Sequence, residues 1–124
     1  MTDQEKLYET LGELLFCVAK ADGIIQDEEK ESLKELLKNH PWGSEIQWSF
    51  NYEESKNASL EETYQKVINF CKHYGPAQEY TEFIDAMNVI AQSSNGIDAN
   101  ESKVINSFSK DLMERFHKDI EKLN

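Results

Sequence analysis

Ala19-Lys20-Ala21-Asp22-Gly23-Ile24-Ile25-Gln26-Asp27-Glu28-Glu29 decides the fold, because the chain repeats it in altered form as Ala91-Gln92-Ser93-Ser94-Asn95-Gly96-Ile97-Asp98-Ala99-Asn100-Glu101. An ungapped shift of 72 positions, from Gly23 to Asn95, lays one on the other. Val18-Ala19 then falls on Ile90-Ala91, Ile25 on Ile97, Glu29 on Glu101, Leu33 on Ile105 and Leu36 on Phe108. Gly and Asn are the residues that best tolerate a left-handed backbone, so Gly23 and Asn95 suit a tight turn. Each half therefore reads as an apolar helix, an acidic turn and a second helix, with the repeat around 7–38 and 79–110.

Helical periodicity continues on both sides of these turns. Leu7, Leu11, Leu14, Leu15 and Val18 recur at three- and four-residue spacing, behind a capping box of Thr2 and Glu5. A second helix starts near Asp27, carries Leu33, Leu36 and Leu37, and stops before Pro41, which disfavours helix at the residue before it. Ile46, Trp48 and Phe50 alternate as a strand would, but no partner strand is evident, so a short helix is expected there. Ser59 with Glu62 caps a helix with Leu60, Tyr64, Val67, Ile68 and Cys71 inward, and Gly75-Pro76 ends it. The next holds Tyr80, Phe83, Ile84, Met87, Ile90 and Ala91. Asp98 with Glu101 caps the last, with Ile105, Phe108, Leu112, Phe116 and Ile120 inward. The expectation is an all-α, compact, pseudo-two-fold bundle of five to seven helices, forming one domain over residues 1–124.

Composition narrows the function classes. The 124 residues carry a formal net charge of −11. This argues against nucleic acid or an anionic membrane surface as main partner, since phosphates are met by Lys and Arg. It suits cations or basic surfaces. Cys17 and Cys71 both lie in apolar helical patterns, which predicts buried free thiols. The N-terminus is polar and acidic, and no apolar run approaches the ~18 residues of a membrane span, so a cytoplasmic location is expected.

The acidic turn invites comparison with a calcium loop. With Gly23 at position six of the twelve, Asp22, Ile25 and Glu29 fall where an EF-hand needs them, but Val18 and Lys20 occupy the first two ligand positions. That argues against an EF-hand. Two readings stay open. In one, Glu29 and Glu101 act as first-turn anions that favour the helix dipole and cap free N–H groups. In the other, Asp22, Asp27, Glu28 and Glu29, joined by Asp98 and Glu101 across the two-fold, share a divalent cation that relieves their mutual repulsion. Carboxylate oxygens are hard ligands, which points to calcium, magnesium or manganese.

The phrase from Ala19 to Lys30 resembles the tellurite-resistance TerB-like family, whose first helix ends in Ala-x-Ala-Asp-Gly and whose next helix opens on paired acids. The order of elements carries the resemblance over essentially the whole chain, and the residue match covers the two turns and their helices. A similar domain occurs in the N-terminal part of a membrane-attached J-domain co-chaperone family. The resemblance implies an all-helical pseudo-symmetric fold. It also implies a metal site at Asp22, Glu29 and Glu101, with Asp27, Glu28 and Asp98 beside it. Links to chemical stress, phage defence and assemblies near the inner membrane follow from it too. Ser94-Asn95 departs from the second Asp-Gly turn.

Other chemistry is missing. There is no phosphate loop, nucleophile elbow or Cys-x-x-Cys, and no enzyme is expected. His40, His73 and His117 are scattered and read as surface or helix-end residues. Glu53-Glu54 and Glu61-Glu62 read as solvated helix surface. Trp42, Trp48, Phe50 and Tyr52 either pack the middle of the chain onto the bundle or form an exposed docking surface. The expected function is a cytoplasmic stress-response domain that binds a divalent cation weakly through its acidic turns. The alternative is a metal-free module whose acidic face docks a basic protein partner, with Trp42 and Trp48 near the contact. Protein partners are expected in either case, in a membrane-associated assembly at most, with neither nucleic-acid binding nor membrane insertion.

Overall fold

A computed structural model describes residues 3–21, 23–75, 77–93 and 99–123, the last eleven of these by backbone alone. Six helices follow one another: α1 (Asp3–Lys20), α2 (Asp27–Leu37), α3 (Gly43–Ser55), α4 (Leu60–Tyr74), α5 (Glu79–Gln92) and α6 (Ala99–Leu123). No strand occurs among the described residues.

α1 is the axis of the molecule. Helices α3, α4, α5 and α6 all pack against it. Its sequence explains this: Leu7, Leu11, Leu14, Leu15, Phe16, Cys17, Val18 and Ala19 are all buried, so apolar residues occupy more than one face. A helix apolar on most sides is stable only when surrounded. Buried apolar side chains from all six helices fall in one cluster.

The two repeats exchange partners. The second helix of the first half, α2, packs on α5, and the second helix of the second half, α6, packs on α1. A two-fold relation between the halves produces this reciprocal contact.

Local chemistry sets the helix ends. Gly23 has φ +97° and its N–H donates to Lys20 O at 2.8 Å. That backbone is strained for any residue with a side chain. Gly75, at φ +95°, ends α4, and the Tyr80 hydroxyl donates to its carbonyl at 2.7 Å. Ser59 Oγ accepts from the Glu62 N–H at 3.4 Å, so this cap is present as expected. Thr2, Asp98, Asn95 and Pro76, named in the other terminators, lie outside the described residues.

The alternation Ile46, Trp48, Phe50 is not a strand. In α3, Ile46 and Phe50 are four apart and buried, while Trp48 points to solvent and is 59% exposed. The aromatic group therefore divides. Phe50 packs edge-on to Phe16, Trp42 stacks on Tyr8 with ring centroids 5.7 Å apart, and Trp48 stacks outward on Tyr52 at 5.3 Å. Leu60, Tyr64 and Ile84, expected inward, are half-buried at the core's edge. Phe116 and Ile120 lie where side chains are not described.

Candidate functional site

The two acidic turns meet different fates along their length. Asp27 and Glu28, at the first two positions of α2, are exposed. Glu29, one residue further, is 1% exposed. Its Oε1 accepts the backbone N–H of Gln26 at 2.8 Å and closes a capping box with the Gln26 side chain. In the second half Glu101 stands in the first turn of α6 and is 2% exposed. Residues that the 72-position shift equates thus behave alike. Asp22 and Asp98 lie outside the described residues.

Position within the helix explains the contrast. The first residues of α2 face solvent, and the third turns its side chain back beneath the N-terminus, where peptide N–H groups and the helix dipole favour an anion. Burying a carboxylate is costly unless hydrogen bonds or a cation compensate. At Glu29 one compensating bond is the cap itself.

The donor set is chemically suited to a hard divalent cation, since every candidate ligand is a carboxylate. Among the described residues no group of three or more His, Cys, Asp or Glu side chains could hold a metal ion. Beside the turn, Asp27, Glu28, Glu31 and Glu35 line an open groove that Ser93 closes from the end of α5.

Glu53 corrects one sequence expectation. It is 2% exposed rather than solvated, and its Oε1 is 2.8 Å from Lys66 Nζ. Lys66 also lies 3.0 Å from Glu13, and Lys56 lies 3.5 Å from the other Glu53 oxygen. Burial pushes the Glu13 carboxyl above its ordinary range, and the Lys66 ammonium only partly restores it. For Lys66 burial opposes the charge, but the Glu53 and Glu13 carboxylates outweigh it and its pKa is raised. The signal was present in the sequence. Ile46, Ser49, Phe50 and Glu53 share one helical face, and the first three are buried too. Glu54, facing the other way, pairs with Lys30 at 2.7 Å.

His40 is more than a surface residue. Its Nδ1 accepts the Trp42 N–H at 2.9 Å, its Nε2 is 2.6 Å from Glu82, and its ring meets Tyr8 edge-on. No local sequence signal announces a contact between residues 42 positions apart. Cys17 and Cys71 are free and buried as expected. Burial raises both thiols, that of Cys71 to about 12, so neither is a ready nucleophile.

A six-helix domain with a buried Glu in the first turn of its second and of its last helix is the class these features define. A family model described as "Tellurite resistance protein TerB" matches residues 9–120. The chain belongs to this TerB family and is a tellurite-resistance-related domain. No curated protein and no solved structure matches it. No helix among the described residues is long and apolar enough to cross a membrane.

Proposed function

We propose that this TerB domain has a non-catalytic role in a cytoplasmic stress response, binding a divalent cation weakly through its acidic turns. The observation that carries this reading is the burial of Glu29 and Glu101, at 1% and 2% exposure, at positions the repeat equates. Capping alone does not require burial, because an exposed acid in the first turn serves the dipole as well. In this reading Glu29 and Glu101, joined by Asp27, Glu28, Asp22 and Asp98, supply the oxygen ligands to calcium, magnesium or manganese. By linkage such an ion stabilises the folded state, by about 2.7 kcal/mol at a hundredfold excess over its Kd.

Thermal melts with and without millimolar calcium, magnesium or manganese test this. The native chain is expected to melt higher with one of these ions, and a chain with Asp22→Asn and Glu29→Gln is expected not to respond. Equal melting of both chains in every ion rejects the reading.

The row Asp27, Glu28, Glu31 and Glu35 supports a second reading, in which this face docks a basic protein partner without metal. Such a complex weakens with salt and ignores chelators.

A further inference from the structure

Lys30, Lys34 and Lys38, four residues apart, form a stripe on α2 beside α3; Asp27 and Glu31 share the Lys30 end of this groove, whereas the end at Gly43 is lined by Lys34 and Lys38 and by no acid. The stripe is about 12 Å long at 1.5 Å per residue. Lys30 is held by Glu54 at 2.7 Å. Lys34 has a loose contact with Glu31 at 3.7 Å and its side chain is 68% exposed. Lys38 is exposed and forms no ion pair among the described residues. Across the groove, Gln47 and Asn51 hydrogen-bond to each other at 3.0 Å and present amides, while Trp48 forms the rim. Gly43 closes one end, where α3 approaches α2 so tightly that a Cβ would lie 2.5 Å from Leu37 O.

We infer that the α2–α3 groove docks a short acidic segment of a partner protein, with carboxylates on Lys34 and Lys38 and an apolar side chain on Trp48. Three features select this occupant. Two exposed ammonium groups meet anions in a molecule whose net charge is −11, so the complementarity is local to the groove. Trp48 is 59% exposed, more than any other Trp, Tyr or Phe among the described residues, and Tyr52 stacks behind it while Lys56 lies 4.8 Å from the Tyr52 ring centre. A pre-ordered aromatic beside a charged groove is a common anchor of an interface. A long polyanion or a charged membrane, by contrast, would also meet the acids on the neighbouring side of α2. This inference does not depend on the cation reading, and it concerns the opposite charge to the acidic face.

The test uses a fluorescein-labelled peptide of Glu and Asp around one Phe, titrated into the full chain with chelator present. Saturable binding is expected, with backbone amide shifts confined to α2 and the first half of α3. Lys34→Glu with Lys38→Glu, and separately Trp48→Ala, should each weaken it about tenfold or more. All three positions are exposed, and circular dichroism verifies that the variants fold. A peptide with Ser for Phe should bind less tightly. No saturation, shifts elsewhere, or equal binding of a DNA oligonucleotide or of anionic vesicles overturns the proposal. So does concentration-dependent self-association abolished by the Lys variants, which would make a second copy the occupant.

Discussion

Glu53, with 2% of its side chain exposed, holds the ammonium of Lys66 at 2.8 Å across the α3–α4 interface. Glu13 of α1 reaches the same nitrogen at 3.0 Å, so one cation serves two carboxylates from two other helices. Removing it leaves two acids facing each other in a poor solvent for charge. Lys66→Met is expected to destabilise the chain by about 2–3 kcal/mol, below the usual figure for a fully buried pair because the Lys66 side chain is 50% exposed. Urea unfolding at neutral pH measures it, and a loss under ~0.5 kcal/mol would show the network to be energetically idle.

The same network fixes a sign for the pH dependence. Burial, partly offset by Lys66, raises the Glu13 pKa above its ordinary value of 4.5. A raised acid gives the folded state a proton that the unfolded state has already lost. Its contribution is therefore complete below the ordinary value and declines as pH rises through the folded one. Glu13→Gln should thus compare most favourably with the native chain at neutral pH, losing that relative advantage as pH falls through the folded value towards 4.5. Unfolding curves across that range decide it. A relative advantage that grows on acidification contradicts the assignment.

Gly12 lets α1 and α3 touch. A Cβ there would meet the Ile46 carbonyl and lie 2.8 Å from Ser49 Cβ. The Ser49 hydroxyl donates to Glu9 O at 2.6 Å, which locks the approach. In a solvated helix Gly→Ala would stabilise by up to about 1 kcal/mol. Here overpacking should win, and Gly12→Ala is expected to lose about 1–3 kcal/mol net. Thermal or urea melts check it, and a more stable variant would mean the helices can separate without loss.

How much of this the sequence foretells depends on the range of the interaction. Periodicity and caps are local, so all six helices and most of their inward residues, such as Val67 and Met87, are legible. The repeat also pairs Glu29 with Glu101, whose shared burial emerges only once α2 and α6 lean on opposite halves. Glu53 is misread because its residue type outweighs its position on the inward face of α3. The contact of His40 with Glu82 is set by tertiary packing between the α2–α3 connector and α5. At Trp48 the sequence leaves packing and exposure both open, since hydrophobicity alone cannot tell an inward ring from an outward one.

The neutral His40 ring should adopt the tautomer with its hydrogen on Nε2. Nδ1 accepts the Trp42 N–H, so it has no hydrogen of its own, and Nε2 faces the Glu82 carboxylate. Nitrogen-15 chemical shifts of the imidazole distinguish the tautomers. Glu82→Ala is expected to cost about 1 kcal/mol and to leave Nδ1 bound to Trp42. A neutral ring with its hydrogen on Nδ1 would contradict the geometry.

Two substitutions at one position separate capping from cation binding. Glu29 Oε1 accepts the Gln26 N–H, and an amide oxygen can do the same. Glu29→Gln therefore keeps the cap but removes a negative charge, whereas Glu29→Ala removes both. Without divalent cations, the Ala variant should melt lower, by about 1 kcal/mol or more, since it also leaves a small void. The Gln variant should melt close to the native chain, because a buried amide costs less to desolvate than a buried carboxylate. With millimolar calcium, magnesium or manganese the native chain should rise and the Gln variant should not, because a neutral amide is a weaker ligand for a hard cation. If the Gln variant rises as far as the native chain, Glu29 is a cap alone and the cation reading of the turn fails at this residue.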